Sequence, residues 1–263
     1  MKVLFIGDIV GRPGRRAVHQ LLPDIIKNNA IDLVVANGEN AAAGFGVTRE
    51  VIDELFNCQI DILTSGNHIW DKREVIDFID EYPTLLRPAN FPPQVPGRGS
   101  LLTTAGGIQV GIINLVGRIF MPPADCPFRT AEREIEALKG KTKIIIVDFH
   151  AEATSEKIAL GWFLDGRVSA VIGTHTHVQT ADERILPNGT AYITDAGMTG
   201  PFDSVIGTRK ELVIERFLTM MPNKFDVAKG DIRLQGVIID LDEHTGQARF
   251  ITRLTLNLFT GGQ

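Results

Sequence analysis

Six histidines occur in the 263 residues, and two of them close the stretch Val171-Ile172-Gly173-Thr174-His175-Thr176-His177. The apolar run reads as a buried strand. In an extended backbone residues i and i+2 point to the same side, so both imidazoles reach one small volume, a geometry suited to a metal ion. A His-x-His pair alone has many chance matches, and a histidine at a strand end is more often a hydrogen-bonded structural residue than a ligand. What distinguishes this pair is its company. Asp8, Glu39, Asn40, Asn67, His68 and His150 each stand just past another apolar run, whereas His19 and His244 fall on a predicted helix and in a turn.

The runs that must position these residues are short and regularly spaced. Val3 to Ile6 predicts a strand leading into Gly7-Asp8, and Gly11-Arg12-Pro13-Gly14 reads as a plain turn in preference to a phosphate cradle of helix N-terminal amides and Arg12, before a helix carrying Val18, Leu21, Leu22, Ile25 and Ile26, with Pro23 as a kink. That turn lacks the Gly-Lys-Ser/Thr of a nucleotide-binding P-loop. A second strand, Leu33 to Ala36, ends in Asn37-Gly38-Glu39-Asn40, and Thr48 is placed to cap a helix with Val51, Ile52, Leu55 and Phe56 on its apolar face. The third strand, Asp61 to Thr64, leads to Asn67-His68, after which Asp71 and Glu74 resemble a capping box opening a helix through Ile79. Five prolines between Pro83 and Gly99 read as a surface spacer.

Strands at Ser100 to Thr104 and Gln109 to Leu115 and a helix near Thr130 to Lys139 precede the strand Ile144 to Phe149, which ends at His150. The next helix carries Ile158, Ala159, Trp162 and Phe163 on one apolar face. Thr190 to Thr194 forms a further strand, followed by a glycine loop from Gly197 to Pro201, and Arg233 to Leu258 reads as a long hairpin. The β-α-β-α-β order implies parallel strands whose C-terminal ends share one edge of the sheet, where ligands of open α/β sheets bind.

Carboxylate, amide oxygen and imidazole without thiolate suit Mn, Fe or Zn. Seven or so donors exceed what one ion uses, so two ions sharing a bridging carboxylate is the economical arrangement, and paired metals about 3.5–4 Å apart usually serve phosphoryl chemistry.

Composition narrows the partners. With 44% hydrophobic and 22% charged residues the chain is an ordinary globular protein, and the lack of repeats or linkers favours one α/β domain over residues 1–263 with two facing sheets. A formal net charge of −5 gives no footprint for duplex DNA but leaves small phosphorylated molecules, and RNA, open. Cys58 and Cys126 form no framework, which fits a reducing cytoplasm. The N-terminal apolar run is cut short by Asp8, too early for a signal core, and no run approaches the about 18 apolar residues of a membrane span.

Taken in order, Gly7-Asp8, Asn37-Gly38-Glu39-Asn40, Gly66-Asn67-His68, His150 and Gly173-Thr174-His175-Thr176-His177 resemble the motif blocks of the calcineurin-like metallophosphoesterases. The match is nearest to their YmdB-like branch of bacterial phosphodiesterases, which Thr194 to Gly207 also resembles. Val10 stands where the broad superfamily has a first-block histidine, Glu39 where it has the bridging aspartate, and Ile69 where an acid usually follows the third-block histidine. The YmdB-like branch shares these replacements.

The resemblance implies a metallophosphoesterase-type α/β/β/α sandwich, two facing mixed sheets flanked by helices. It implies one ion on Asp8, Glu39, Asn40 and His177 and a second on Glu39, Asn67, His150 and His175, the metals being Fe or Mn, with Zn also accepted. His68 would be the proton donor to the leaving group, a bridging hydroxide the nucleophile, and a small phosphodiester such as 2′,3′-cyclic or 3′,5′-cyclic AMP the substrate. Neighbours in an extended segment point to opposite sides, so Asn67 can face the metal while His68 faces the substrate. Other readings stay open: a phosphomonoesterase or RNA phosphodiesterase of the same fold, or a non-enzymatic regulator keeping metals for shape. A metal-dependent amidohydrolase would place His-x-His at the end of the first strand, where Asp8 stands. A homo-oligomer is also open.

Overall fold

In the computed structural model, which describes residues 1–259, side-chain alternation splits strand β1 (Lys2–Ile6) between two cores. Leu4 and Ile6 pack with Val18, Leu22 and Ile25 of helix α1 (Gly11–Asn29) and with Val51, Ile52 and Leu55 of α2 (Arg49–Asn57). The two helices are separated in sequence by β3 (Leu33–Asn37). Val3 and Phe5 pack the other way, against a second sheet. The period of two thus places one layer of helices and one facing sheet on opposite sides of β1.

The first sheet runs β2 (Asp8–Ile9), β11 (Met198–Pro201), β12 (Ile232–Leu241), β1, β3 and β4 (Ile62–Thr64), with β13 (Ala248–Asn257) also paired to β12. The second runs β5 (Ser100–Ala105), β6 (Ile108–Val116), β7 (Ile144–His150), β8 (Ala170–Thr174), β10 (Ala191–Ile193) and β9 (Arg184–Ile185). β1, β3 and β4 are parallel, as are β6, β7, β8 and β10. Helices α4 (Pro127–Leu138) and α5 (Thr154–Leu164) cover the outer face of the second sheet through Ala131, Leu138, Leu160 and Leu164. The layers are therefore helix, sheet, sheet, helix, as the motif blocks imply, and the C-terminal hairpin is β12 with β13. Among the described residues no helix is long and apolar enough to cross a membrane.

Several local expectations are corrected. Gly11-Arg12-Pro13-Gly14 is the first turn of α1, not a separate turn, and Pro23 lies inside the continuous helix. The proline-rich segment is a surface connection only in part: Pro92 to Gln94 are exposed, but Leu85 to Asn90 are buried, and Leu86 N–H donates to Leu63 O of β4 (2.8 Å) and Ala89 N–H to Asn114 O of β6 (2.7 Å), stitching the two sheets together. Gly197 to Pro201 is a loop only at its first residue, since β11 pairs in parallel with β2 at Met198↔Asp8. The Asp71–Glu74 capping box does not form, and helix α3 is only Val75–Phe78.

Helix α5 is turned relative to expectation, burying Glu156, Lys157, Leu160, Gly161 and Leu164 while Trp162 and Phe163 are exposed. The reason is polar. Glu156 accepts N–H bonds from Arg118 and Ile119 (3.1 and 3.2 Å), and Lys157 Nζ reaches Asp195 Oδ2 (2.6 Å). A further helix, α6 (Lys210–Thr219), has no counterpart in the sequence pattern.

Candidate metal centre

The C-terminal ends of β1, β3, β4, β7 and β8 converge where the two sheets face each other. Just past β3 the Asn37 side chain accepts the Glu39 N–H (3.2 Å), a turn that helps direct Glu39 and Asn40 inward. Asp8, Glu39 and His150 are fully buried and Asn40 nearly so. All eight residues singled out from the sequence meet here. His150 Nε2 lies 3.0 Å from Glu39 Oε1, 3.2 Å from Asn67 Oδ1 and 2.9 Å from His175 Nδ1. His177 Nε2 lies 3.1 Å from the Asn40 amide and 3.7 Å from Asp8 Oδ1. Glu39 Oε1 is also 3.3 Å from the Asn40 amide, so Glu39 touches both groups.

Each of the three clustered histidines turns one nitrogen to the centre and the other to an oxygen. His150 Nδ1 meets Thr174 Oγ1 (3.0 Å), whose hydroxyl donates to Asp148 (2.7 Å); His177 Nδ1 donates to Ile206 O (2.9 Å); His175 Nε2 faces Glu152 (3.1 Å). Metal-ligating histidines are held this way, the outer hydrogen bond fixing tautomer and ring plane. Among the described residues Asp8 Oδ1 is buried without a hydrogen-bond partner, a costly arrangement for a carboxylate oxygen. The donor atoms of Glu39, His150 and His175 lie within 4.8 Å of one another, so the residues fit a bound cation.

The electrostatics agree. Burial raises the Asp8 carboxyl against the pull of His177 and His150. Burial would also raise Glu39, but His150 and the His68 N–H outweigh it and hold its carboxyl at about 2. Burial lowers His150, yet Glu39, Asp8 and Asp148 carry it up to about 9, whereas burial and the neighbouring His150 push His175 down to about 3. Asp148 is pushed up to about 7 by burial. Three carboxylates around one buried volume favour positive charge there.

The His-x-His pair reaches the centre by a different route from the one the strand pattern implies. β8 ends at Thr174, and His175 and His177 sit at φ 97° and 63°, a region that costs non-glycine residues energy unless surrounding contacts hold it. Here the contact is Asp195. Its carboxylate accepts the Thr176 N–H (3.1 Å) and hydroxyl (2.7 Å), the Gly197 N–H (2.9 Å) and the buried Lys157 ammonium. Gly66 supplies clearance on another side, since a Cβ built there would lie 2.2 Å from His150 Cδ2. Gly66→Ala is therefore expected to destabilise the protein by about 1–3 kcal/mol and to lower metal content, read by denaturant melts and metal analysis.

Asn67 and His68 likewise lie in a turn, not an extended segment. The His68 N–H donates to Glu39 Oε2 (2.9 Å), while its ring leans edge-on against Phe45 and sets Nδ1 2.8 Å from Asp71 Oδ2. Asp71 is thus spent on His68 instead of a helix cap, leaving Nε2 as the free ring nitrogen. Asp71→Asn is expected to loosen the His68 ring while metal content stays unchanged, read by the imidazole's NMR line widths and by metal analysis.

Beyond the cluster opens a cavity of about 850 Å³, whose lining includes His68, His175 and His177 of the cluster and Phe45, Phe217 and Phe225. Sequence reading misses Asp71, Asp148, Thr174, Lys157 and Asp195. For Asp148 a signal exists, a carboxylate inside the apolar run Ile144–Phe149; for the Ile206 carbonyl there is none, because any residue offers one.

Residues 4–254 match the family model described as YmdB-like protein. The chain is 52% identical over 257 residues to the 2′,3′-cyclic-nucleotide 2′-phosphodiesterase of Bacillus subtilis (strain 168), covering 98% of this chain and 97% of that protein. Among solved structures, a hypothetical protein from Thermus thermophilus superposes with TM-score 0.92 at 44% identity, covering 98% of this chain and 99% of that one. A phosphatase of Mycoplasma pneumoniae superposes with TM-score 0.92 at 35% identity, covering 98% and 93%. The Haemophilus influenzae NAD nucleotidase, 14% identical with TM-score 0.64, covers 98% of this chain and 56% of that one and shares the fold. The chain belongs to the YmdB-like protein family.

Proposed function

We propose that the centre holds two metal ions and that the protein hydrolyses small phosphodiesters, 2′,3′-cyclic or 3′,5′-cyclic nucleotides in the first place. The observation that carries this reading is the set of three histidines with one nitrogen turned inward and the other tied to oxygen, beside the unpartnered Asp8 Oδ1. The B. subtilis relative, by its name, acts on 2′,3′-cyclic nucleotides.

In this reading Asp8, Glu39, Asn40 and His177 hold one ion, and Glu39, Asn67, His150 and His175 hold the other. A half-turn of the Asn40 amide offers its oxygen where the nitrogen now meets His177. The ligand set accepts Fe, Mn or Zn. Bound there, paired ions supply Lewis-acid charge against the phosphoryl oxygens and activate water. His68, with Nδ1 on Asp71, delivers a proton from Nε2 to the departing alkoxide oxygen. The buried walls around Asp8, Glu39 and His150 keep bulk water from screening these charges. The free thiols of Cys58 and Cys126 accord with a cytoplasmic setting, and the chain is read as one domain.

Assaying the metal-loaded and chelator-treated protein on cyclic nucleotides, phosphomonoesters and RNA tests the reading. Hydrolysis of cyclic nucleotides that disappears on chelation and returns with added Mn or Fe is the expected result. Two ions per chain without any phosphoesterase activity would favour a regulator instead.

A further inference from the structure

The metal cluster accounts for only part of the cavity's lining. Another part is the excursion between β11 and β12 that carries α6. This segment is closed at its base by Phe202 N–H to Asp231 O (2.7 Å) and farther in by Ala228 N–H to Gly207 O (2.9 Å) and Arg209 N–H to Asp226 O (3.0 Å). It is seated on the site at two points. Ile206 O accepts from His177, and Val227 rests against Gly11 and Gly44, where a Cβ would come within 3.1 and 2.9 Å of its methyl groups.

From this excursion Val213, Arg216, Phe217 and Met220 line the cavity, at spacings of three, one and three that put them on one side of the α6 turn. Phe217 is 78% exposed and Met220 85% exposed, although both border a concave space beside buried ligands. The Arg216 guanidinium lies over the Phe225 ring, 5.1 Å from its centre, a cation–π pair at the cavity, and Phe45 stands beside His68. A bare phosphodiester group has no use for these surfaces. A planar heterocycle does, because every nucleobase offers a π face that stacks on aromatic rings and on guanidinium planes.

We propose that the space between α6, Phe225 and Phe45 is where the nucleobase docks, so that Phe217, Phe225 and Arg216 set the base preference of this centre. The proposal rests on the phosphodiesterase reading for the reaction, but base binding itself is separable from hydrolysis. Phe217, being exposed, can be truncated without opening the core.

Two measurements on the metal-loaded protein decide it. The first is calorimetric titration with adenosine, which has base and ribose but no phosphate. The second compares 2′,3′-cyclic AMP with ethylene cyclic phosphate, which has no base. Phe217→Ala and Phe217→Ala/Phe225→Ala are expected to weaken adenosine binding about tenfold or more and to raise KM for the cyclic nucleotide by a similar factor, with most of the effect in KM. Adenosine binding that the variants leave unaltered, or an equal KM increase for ethylene cyclic phosphate, would overturn the subsite. If wild-type protein binds adenosine through Phe217 and hydrolyses neither ester, the subsite stands and the phosphodiesterase reading falls.

Discussion

His68→Ala is expected to lower kcat on a cyclic nucleotide by about 10²–10⁴-fold, the usual contribution of a positioned general acid, while metal content stays near the wild-type value. The separation of the two readouts follows from geometry. Unlike His150, His175 and His177, the His68 ring makes no hydrogen bond or ion pair with the ligand cluster among the described residues; its Nδ1 is on Asp71 and its ring packs against Phe45. What His68 contributes to the cluster is its backbone N–H to Glu39 Oε2, and alanine keeps that. Substrates with a good leaving group need less proton assistance, so the variant's deficit should shrink on nitrophenyl esters. Intact turnover of the cyclic nucleotide by His68→Ala would remove the donor assignment. Loss of metal together with turnover would make His68 a brace for the ligands.

Lys157→Met is expected to cost about 3–5 kcal/mol of stability, because it strands a fully buried carboxylate. Lys157 and Asp195 are both sequestered from solvent, 1% and 0% exposed at their side chains, and among the described residues no other cation pairs with Asp195. Chemical denaturation reads the loss. The effect extends to the metal site, since Asp195 also holds Thr176 between two ligands whose φ angles are positive. Metal affinity should therefore fall as well. A double variant Lys157→Met/Asp195→Leu removes the unpaired charge and recovers part of the stability, but it orphans the Thr176 and Gly197 N–H groups, so metal affinity stays low. A Lys157→Met protein that melts like wild type would show that the pair does not anchor this loop.

Much of the site is legible in the sequence because chain direction does the gathering. Parallel strands leave their C-terminal residues on one edge, so Asp8, Glu39, Asn67, His150 and His175 can be collected without knowing any distance. The sandwich is legible for a related reason, since Val3, Leu4, Phe5 and Ile6 form an unbroken apolar run that only a strand covered on both faces can bury.

What sequence reading misses depends on partners distant in the chain. Lys157 reads as a solvent-facing charge until Asp195 is placed against it, and that one ion pair turns α5 so that Trp162 and Phe163 face out. Asp71 reads as a cap because a carboxylate three residues before Glu74 fits that pattern; a histidine at 2.8 Å outcompetes it. Helix α6 buries only Val213 and borders a cavity instead of a core, so its apolar residues show no single buried stripe for periodicity to detect. For the His175–His177 pair the pattern gives the right destination and the wrong backbone, because a turn held by Asp195 does what an extended strand is expected to do.

The central claim is that two ions share Glu39 and that His175 and His177 serve different ones. Its most direct test is a crystal structure of the metal-loaded protein with anomalous scattering at the metal edge. The expected result is two ions per chain with Glu39 between them, His177 on the ion beside Asp8 and Asn40, and His175 on the ion beside Asn67 and His150. A single ion per chain, or both rings of the pair on one ion, would contradict it.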